Sequence, residues 1–381
     1  MNELIVMVPG NAWDSHRLGQ HHLAVHLAER APVLWVDPPI SYLTPLNDAS
    51  AAAALREDRL REVAPNISRL SPVTVPGKTR PVLRELALRQ ARRAVRRAVA
   101  KLGMPVHSTI VASLNDMLDV VPARRRVFFG TDDYVAGAAL MGTDPRWLER
   151  IEARQLAKAD VVIAVSPVLQ RKWRGAQLVP NGCEADWLAT ADATPVAPDV
   201  ALPAPIAGFI GHLSDRIDLA MLTAVADTGA SLLLVGPRSP TFEIARLDAL
   251  LARPNVQWVG PKPFDAMPAY LRAIDVGLTP YAQSAFNQAS FPLKTLEYLA
   301  AGRPAVVSDL PAHRWLGDEH LTIADTPEAF AARTRELLAR PGSAAEAAAR
   351  SALGARHSWT ARAADVARLI GLDDAGHARA A

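Results

Sequence analysis

Short, β-rich apolar runs alternate with amphipathic helical stretches from one end of this chain to the other, and no other feature limits its fold so strongly. Strands buried on both faces of a parallel sheet read as unbroken Val/Ile/Leu runs. Each needs a crossover helix before the next can lie beside it. The first half offers strands at Leu4–Val8, Val33–Val36, Ile67–Leu70, Thr109–Ala112, Val127–Phe129 and Val161–Val165, with helices near Gly19–Glu29, Pro81–Lys101 and Trp147–Ala157. A second series has strands at Ile206–Ile210, Ser231–Val235, Val256–Val259, Val276–Leu278, Ala305–Ser308 and Leu321–Ile323. Its helices include Leu293–Ala301, Pro327–Ala339 and Trp359–Ile370.

Between the two series lies ATADATPVAPDVALPAP, low in charge and rich in proline and alanine, which reads as an interdomain linker. The expected layout is an N-terminal domain over residues 1–188, a linker over 189–205, a C-terminal domain over 206–355, and a helix and tail over 356–381. The 381 residues suit two domains of ordinary size. The fold class implied is α/β, two Rossmann-like parallel-sheet domains facing a central cleft, where a ligand is expected.

Several classes are excluded. One cysteine, Cys183, cannot form a disulfide scaffold or a Cys-based zinc cluster and fits a reducing cytoplasm. No run of 18 apolar residues predicts a transmembrane helix, and MNELIVMVPG reads as a strand rather than a signal peptide. The expected location is cytoplasmic, with the inner face of the cell membrane as an option.

The formal charge of +3 hides an imbalance. Lys78, Arg80, Arg84, Arg89, Arg92, Arg93, Arg96, Arg97 and Lys101 fall in one stretch with a single acid, Glu85. The helix expected at Pro81–Lys101 has four readings: a solvated surface helix, a membrane-surface helix drawn to anionic lipid, a site for an acidic soluble acceptor, or one for a protein partner. Nucleic acid is not expected, because no aromatics interleave with the arginines.

Familiar nucleotide fingerprints are missing: there is no G-x-G-x-x-G after the first strand and no P-loop. His22 and His26, spaced i, i+4, lack the glutamate and third ligand of a zinc protease and read as ordinary helix residues. Asp132 and Asp133 could hold a divalent metal or simply close a loop. The most informative stretch is NQASFPLKTLEYLAAGRPAVVSD, residues 287–309. Ser290 reads as an N-cap, Pro292 as a first-turn residue and Gly302 as C′ of a helix whose open N-terminal amides suit a pyrophosphate. Lys294 opposes the helix dipole there, which makes sense where a phosphate arrives, and Glu297 could accept from a vicinal diol such as ribose. A capped surface helix with a solvated Lys and Glu is the alternative.

SFPLKTLEYLAAGRPAVVS resembles the donor-binding signature of GT-B-fold glycosyltransferases, in particular the bacterial retaining group that includes mannosyl- and glucosyltransferases. ARQLAKADVVIAVSPVL (153–169) and VPNGCEADW (179–187) resemble the end of such N-terminal domains. GFIGHLSDRIDL (208–219) resembles the first C-domain strand and phosphate loop, and VQWVGPKPFDAMPAYLRAIDVGLTPY (256–281) the nucleobase strand and following helix.

The resemblance implies a glycosyltransferase moving a sugar from a nucleotide-diphosphate donor, UDP first and GDP or dTDP next, without a metal or other cofactor. The acceptor would be a hydroxyl on a lipid-linked glycan, polysaccharide or secondary metabolite. Glu297 takes the position of the ribose-binding glutamate, and Arg216 and Lys294 are the diphosphate cations. His212 stands where an arginine is common, and Ala289 where a second glutamate usually faces the sugar, with Asn287 as a substitute. Gly260 and Lys262 fall in the base-lining run, and Ser290, Phe291 and Leu293 complete the donor positions. On the acceptor side the candidates are Asn11, Trp13, Asp14 and His16 after the first strand, and Asp132 after the fifth. Of these, Asp14, His16 and Asp132 are the catalytic candidates, with a structural loop role for Asp14 and His16 as the alternative. A binding or regulatory subunit without catalysis and a sugar-nucleotide epimerase of the same fold are the competing functions.

Overall fold

The computed structural model describes residues 3–15, 17–43, 59–76, 81–317, 319–340 and 342–372, and the chain divides into two compact units. The first comprises residues up to Val165, Leu169–Val179 and the chain from Arg362 on; the second comprises Ser166–Val168 and Pro180–Ala361. His16, Lys78, Arg80 and the tail from Asp373 lie outside the described residues.

The first unit holds an eight-stranded sheet built from β1 (Leu4–Pro9), β2 (Val33–Val36), β4 (Leu60–Ala64), β5 (Ile67–Leu70), β7 (Val106–Ala112), β8 (Arg125–Gly130), β9 (Val161–Ala164) and β10 (Gln177–Leu178). The short strands β3 (Ile40–Ser41) and β6 (Val73–Thr74) pair separately. The large sheet runs β10-β9-β8-β7-β1-β2-β5-β4, parallel except for β4. Central β1 is buried along its whole length, as an unbroken apolar run requires. The antiparallel β4–β5 hairpin was not expected. It turns at Pro65–Asn66, with Asn66 at φ 60°, a left-handed conformation that Asn tolerates. Helices α1 (Gly19–Ala28), α2 (Pro81–Leu102) and α3 (Pro145–Lys158) flank the sheet. Helix α3 starts earlier than its apolar pattern suggested, because Asp144 caps it by accepting from the Arg146 amide and Pro145 fills the first helical position.

The second unit has six strands, β11 (Ile206–Ile210), β12 (Ser231–Val235), β13 (Val256–Trp258), β14 (Val276–Thr279), β15 (Ala305–Ser308) and β16 (Leu321–Ala324), all parallel in the order β13-β12-β11-β14-β15-β16. Numbered by appearance this is 3-2-1-4-5-6, the dinucleotide-fold order, whose topological switch point falls between β11 and β14. Its helices include α4 (Leu219–Asp227), α5 (Ile244–Leu251), α6 (Met267–Ala273), α7 (Ala285–Ala289), α8 (Leu293–Ala300), α9 (Pro311–Leu316), α10 (Pro327–Ala339) and α11 (Ala344–Arg356). Phe209, Leu222, Leu234, Phe242 and Phe330 centre its core.

The expected linker is corrected by the structure. The chain enters the second unit at Pro180, and residues 189–205 form a strap on that unit rather than a free connection. Ala189–Ala193 is a turn of 3₁₀ helix, the Ser231 hydroxyl donates to Pro203 O (2.7 Å), and the Asp199 carboxylate accepts from the Tyr270 hydroxyl (2.8 Å) and from Lys262 Nζ (2.5 Å). Proline here stiffens a packed segment. Among the described residues no helix is long and apolar enough to cross a membrane.

Candidate functional site

At the switch point of the second unit, β11 runs into Gly211, and the loop 211–218 leads to α4, capped by Asp218. Backbone approach at this end is close. A Cβ on Gly236, the residue after β12, would sit 2.1 Å from Gly211 O, and the glycine adopts φ 132°. Only glycine lets the Gly236 amide donate to Gly260 O (2.9 Å) while the Gly211 amide donates to Val235 O (2.9 Å). Three loop ends are thereby tied together.

Helix α8 enters the same end of the sheet from β14. Its fully buried Tyr298 sets its depth: the phenol oxygen accepts from the Ile210 amide (2.8 Å) and donates to Gly208 O (3.2 Å). The ring occupies space that a Cβ on Gly277 would invade at 2.3 Å. Burial pushes the phenol pKa far up, and it stays protonated. A second buried chain fixes the helix laterally. The Ser308 carbonyl can only accept, so His313 Nδ1 donates to it (2.6 Å) and Nε2 accepts from the Thr295 hydroxyl (3.0 Å). Desolvation lowers the His313 pKa to about 4.

Ser290 does not cap α8. It ends α7, its hydroxyl donating to Asn287 O (2.8 Å), because an extended Phe291–Pro292 step separates the two helices. The N-cap of α8 is Pro292, which offers no side-chain acceptor, so the first-turn amides of α8 lack a side-chain cap. Lys294 and Glu297 meet as an ion pair on the first turn, Nζ to Oε2 at 2.7 Å, with Glu297 nearly buried. Phe291 is buried edge-on to Trp315 (5.8 Å), Leu293 is half-buried, and the Asn181 amide donates to Phe291 O (2.9 Å).

Asn287 behaves differently from its expected role beside the sugar. It is fully buried. Its Nδ2 donates to Arg216 O (2.8 Å) and Ala282 O (2.9 Å), while its Oδ1 accepts from Arg216 Nε (3.0 Å). The amide is consumed holding Arg216, whose guanidinium lies 4.9 Å from the Phe286 ring centre and 5.4 Å from that of Tyr281. Asn287 is therefore a positioning residue for Arg216. His212 is exposed, and Gly260 sits at φ 73° with its carbonyl taken by Gly236. Lys262 points into the strap, where hydrogen bonding to Asp199 and Tyr270 raises its pKa. Ala289 is buried, its carbonyl accepting from the Ser166 hydroxyl (2.5 Å).

In the first unit, Asp14 is the exposed partner of a buried guanidinium. Arg69 bridges Asp14 and Asp37, with Nε to Asp37 Oδ2 at 2.6 Å. Asp37 also accepts from the Trp13 amide (2.9 Å), Trp35 Nε1 (3.0 Å) and the Ser71 hydroxyl (2.7 Å). Burial opposes the charge on Arg69, but Asp37 outweighs it and its pKa is raised. Asn11 Nδ2 contacts the His21 ring (3.2 Å), and His21 Nε2 lies 3.2 Å from Ala12 O, so the start of the loop after β1 is tied to α1. Asp132 is half-buried after β8 beside Tyr134, while Asp133 accepts from the Ala136 amide (3.0 Å) and from Lys172 (2.8 Å). No group of three metal-ligating side chains occurs among the described residues. His22 and His26 lie on α1, where His26 Nδ1 is 3.3 Å from Glu29.

Tyr298, His313 and Gly236 are site-building residues that the sequence did not flag. Tyr298 and His313 sit in helical patterns as apolar-face residues, and only the buried partners reveal their work.

Residues 204–340 match the family described as Glycosyl transferases group 1. Over 172 residues the chain is 31% identical to TuaH of Bacillus subtilis (strain 168), named as a teichuronic acid biosynthesis glycosyltransferase; the match covers 44% of this chain and 43% of that relative. The chain thus spans less than half the length of the curated relative it matches. Its structure resembles sucrose-phosphate synthase from Thermosynechococcus elongatus (TM-score 0.73, 19% identity, 99% and 100% of the two chains). It also resembles Anabaena HepE in complex with UDP and glucose (TM-score 0.65, 14% identity, 97% and 100%).

Proposed function

We propose that this chain, which has the GT-B fold and carries a glycosyltransferase group 1 domain over residues 204–340, transfers a hexose from a nucleotide-diphosphate sugar to a hydroxyl acceptor. UDP is the preferred nucleotide, and the transfer proceeds with retention and without a metal. The observation that carries the reading is the uncapped first turn of α8 at the switch point, with Lys294 and Glu297 on it and Arg216 held toward the same end by Asn287. HepE binding UDP and glucose, and the family match over this unit, support it.

The chemistry follows from charge. Breaking the anomeric C–O bond leaves growing negative charge on the diphosphate, which the α8 amides, Lys294 and Arg216 stabilise. Glu297 leaves its pairing with Lys294 to accept from the ribose hydroxyls, and the freed Lys294 turns to phosphate. The acceptor is a lipid-linked glycan, polysaccharide or secondary metabolite, and the match to TuaH points toward cell-envelope glycans.

The test is release of free nucleotide from a panel of nucleotide sugars by the purified chain. Glu297→Ala and Arg216→Ala should each lower turnover by about 10²–10³ with the fold retained, Arg216→Ala also losing about 1 kcal/mol of stability because Asn287 Oδ1 is left without its donor. Full activity in both variants overturns the site. Tight UDP-sugar binding without hydrolysis or transfer would favour a binding subunit, and conversion of the donor without an acceptor an epimerase.

A further inference from the structure

Within the first unit, a cavity of about 1000 Å³ opens at the carboxyl ends of the strands, bounded by Gly10 after β1, Ser113 after β7 and Tyr134 after β8. Because the sheet order reverses between β1 and β7, this is that sheet's own switch point. Helices α2 and α3 form its walls. Arg84, Leu88 and Arg92 follow one another at four-residue steps on α2; Trp147, Arg150, Arg154 and Lys158 share one face of α3. The Arg84 guanidinium stacks 4.2 Å above the Trp147 ring.

The lining cations differ in what they already hold. Arg92 is bound to Asp119 (2.8 Å) and to Asp116 O (2.8 Å), and Lys158 to Asp116 (2.8 Å) and Asp119 (3.2 Å). Arg89 pairs with Glu85, and Asp144 is spent capping α3. Arg150 and Arg154 are exposed and make no ion pair with any described residue. Two adjacent unpaired guanidiniums in a cavity of small-ligand size that also holds an indole, one face of it covered by Arg84, suit an oxyanion attached to a ring with an apolar face.

The geometry points to a binding site for an oxyanion-bearing sugar, with Arg150 and Arg154 gripping its phosphate or carboxylate and Trp147 packing against the ring. Its role as the acceptor rests on the transferase reading above; the binding does not. Isothermal titration of the full chain compares glucose 6-phosphate and glucuronate with neutral glucose. Both anions are expected to bind at least about tenfold more tightly than glucose, the value of roughly one charge-assisted contact. The double variant Arg150→Gln/Arg154→Gln should erase that preference with an unchanged unfolding temperature. Equal or absent binding of all three sugars overturns the site, as does a preference that survives in the double variant. Co-sedimentation with phosphatidylglycerol vesicles, lost in the double variant and without binding of either soluble anion, would overturn it in favour of a lipid headgroup. Titration with UDP runs in parallel: its failure counts against the donor site alone.

Discussion

Replacing Asn287 by alanine tests whether this side chain organises the donor end or faces the sugar. In the structure it makes three side-chain hydrogen bonds while fully buried: to Arg216 O, to Ala282 O and from Arg216 Nε. At about 1 kcal/mol net for each, their loss costs about 3 kcal/mol, and the small cavity left behind adds to it. Asn287→Asp separates the parts. It retains an acceptor for Arg216 but turns a carboxylate oxygen toward two carbonyls, so it should destabilise about as much as alanine. Urea unfolding of the two variants measures the stability term, and titration with UDP reads the consequence for Arg216. Both variants should lower stability and weaken UDP binding together. A loss below about 0.5 kcal/mol with reduced turnover would refute the positioning role and return Asn287 to the sugar.

Two further outcomes follow from buried charge. Arg69→Ala strands Asp37 among Trp13, Trp35 and Ser71; about 3–5 kcal/mol should be lost, read by thermal or chemical unfolding. His313 is held neutral, its pKa lowered from 6.5 to about 4, so the unfolded chain binds the extra proton first as pH falls. The stability it confers is complete above about pH 6.5 and drains away as pH drops to about 4, a loss of about 3 kcal/mol at 1.36 per unit. Unfolding profiles of the protein and of His313→Gln should diverge in that window, and parallel profiles would refute the assignment.

Most strands were legible because the physics that makes them is local in sequence. Fully buried parallel strands such as Leu4–Pro9 and Ser231–Val235 must be apolar on both faces, and nothing else in a chain of this composition looks like that. The hairpin strand Leu60–Ala64 lacked such a run, since an edge strand is buried on neither face completely; its signal was the Pro65–Asn66 turn. The cap of α8 was misplaced for a related reason. Ser290 has the right chemistry for an N-cap, but the five residues before it already form a helix, and its hydroxyl is used closing that one. Lys294 and Glu297 were legible one by one, as a cation and a carboxylate at the start of a helix, but their ion pair with each other was not expected. The contacts of Asn287 with Arg216, and of Tyr298 with β11, join residues 71 and 88 positions apart and leave no local trace.

The basic segment shows how structure divides a charge that sequence only counts. On α2 the positions Ala87, Ala91, Val95 and Ala98 are all buried, so the helix has already spent its apolar face on the first unit. Arg92 and Arg96 turn back to hold the loop at Asp116–Val120, Arg96 Nε donating to Val120 O (2.9 Å). Arg89, Arg93, Arg96, Arg97 and Lys101 are exposed to water, with Val82 and Leu86 as the exposed large apolar residues toward the N-terminal end. A helix that lies in a headgroup interface needs an apolar face beside its cations to insert, and this one has none to offer along the cationic turns. Attraction to lipid is then electrostatic alone and screened within a Debye length, about 10 Å at 0.1 M salt and about 3 Å at 1 M. Neutral phosphatidylcholine vesicles should leave the chain in the supernatant at either salt concentration. Pelleting with those vesicles at 1 M salt, abolished by Val82→Glu/Leu86→Glu, would refute the argument and make α2 an inserting helix.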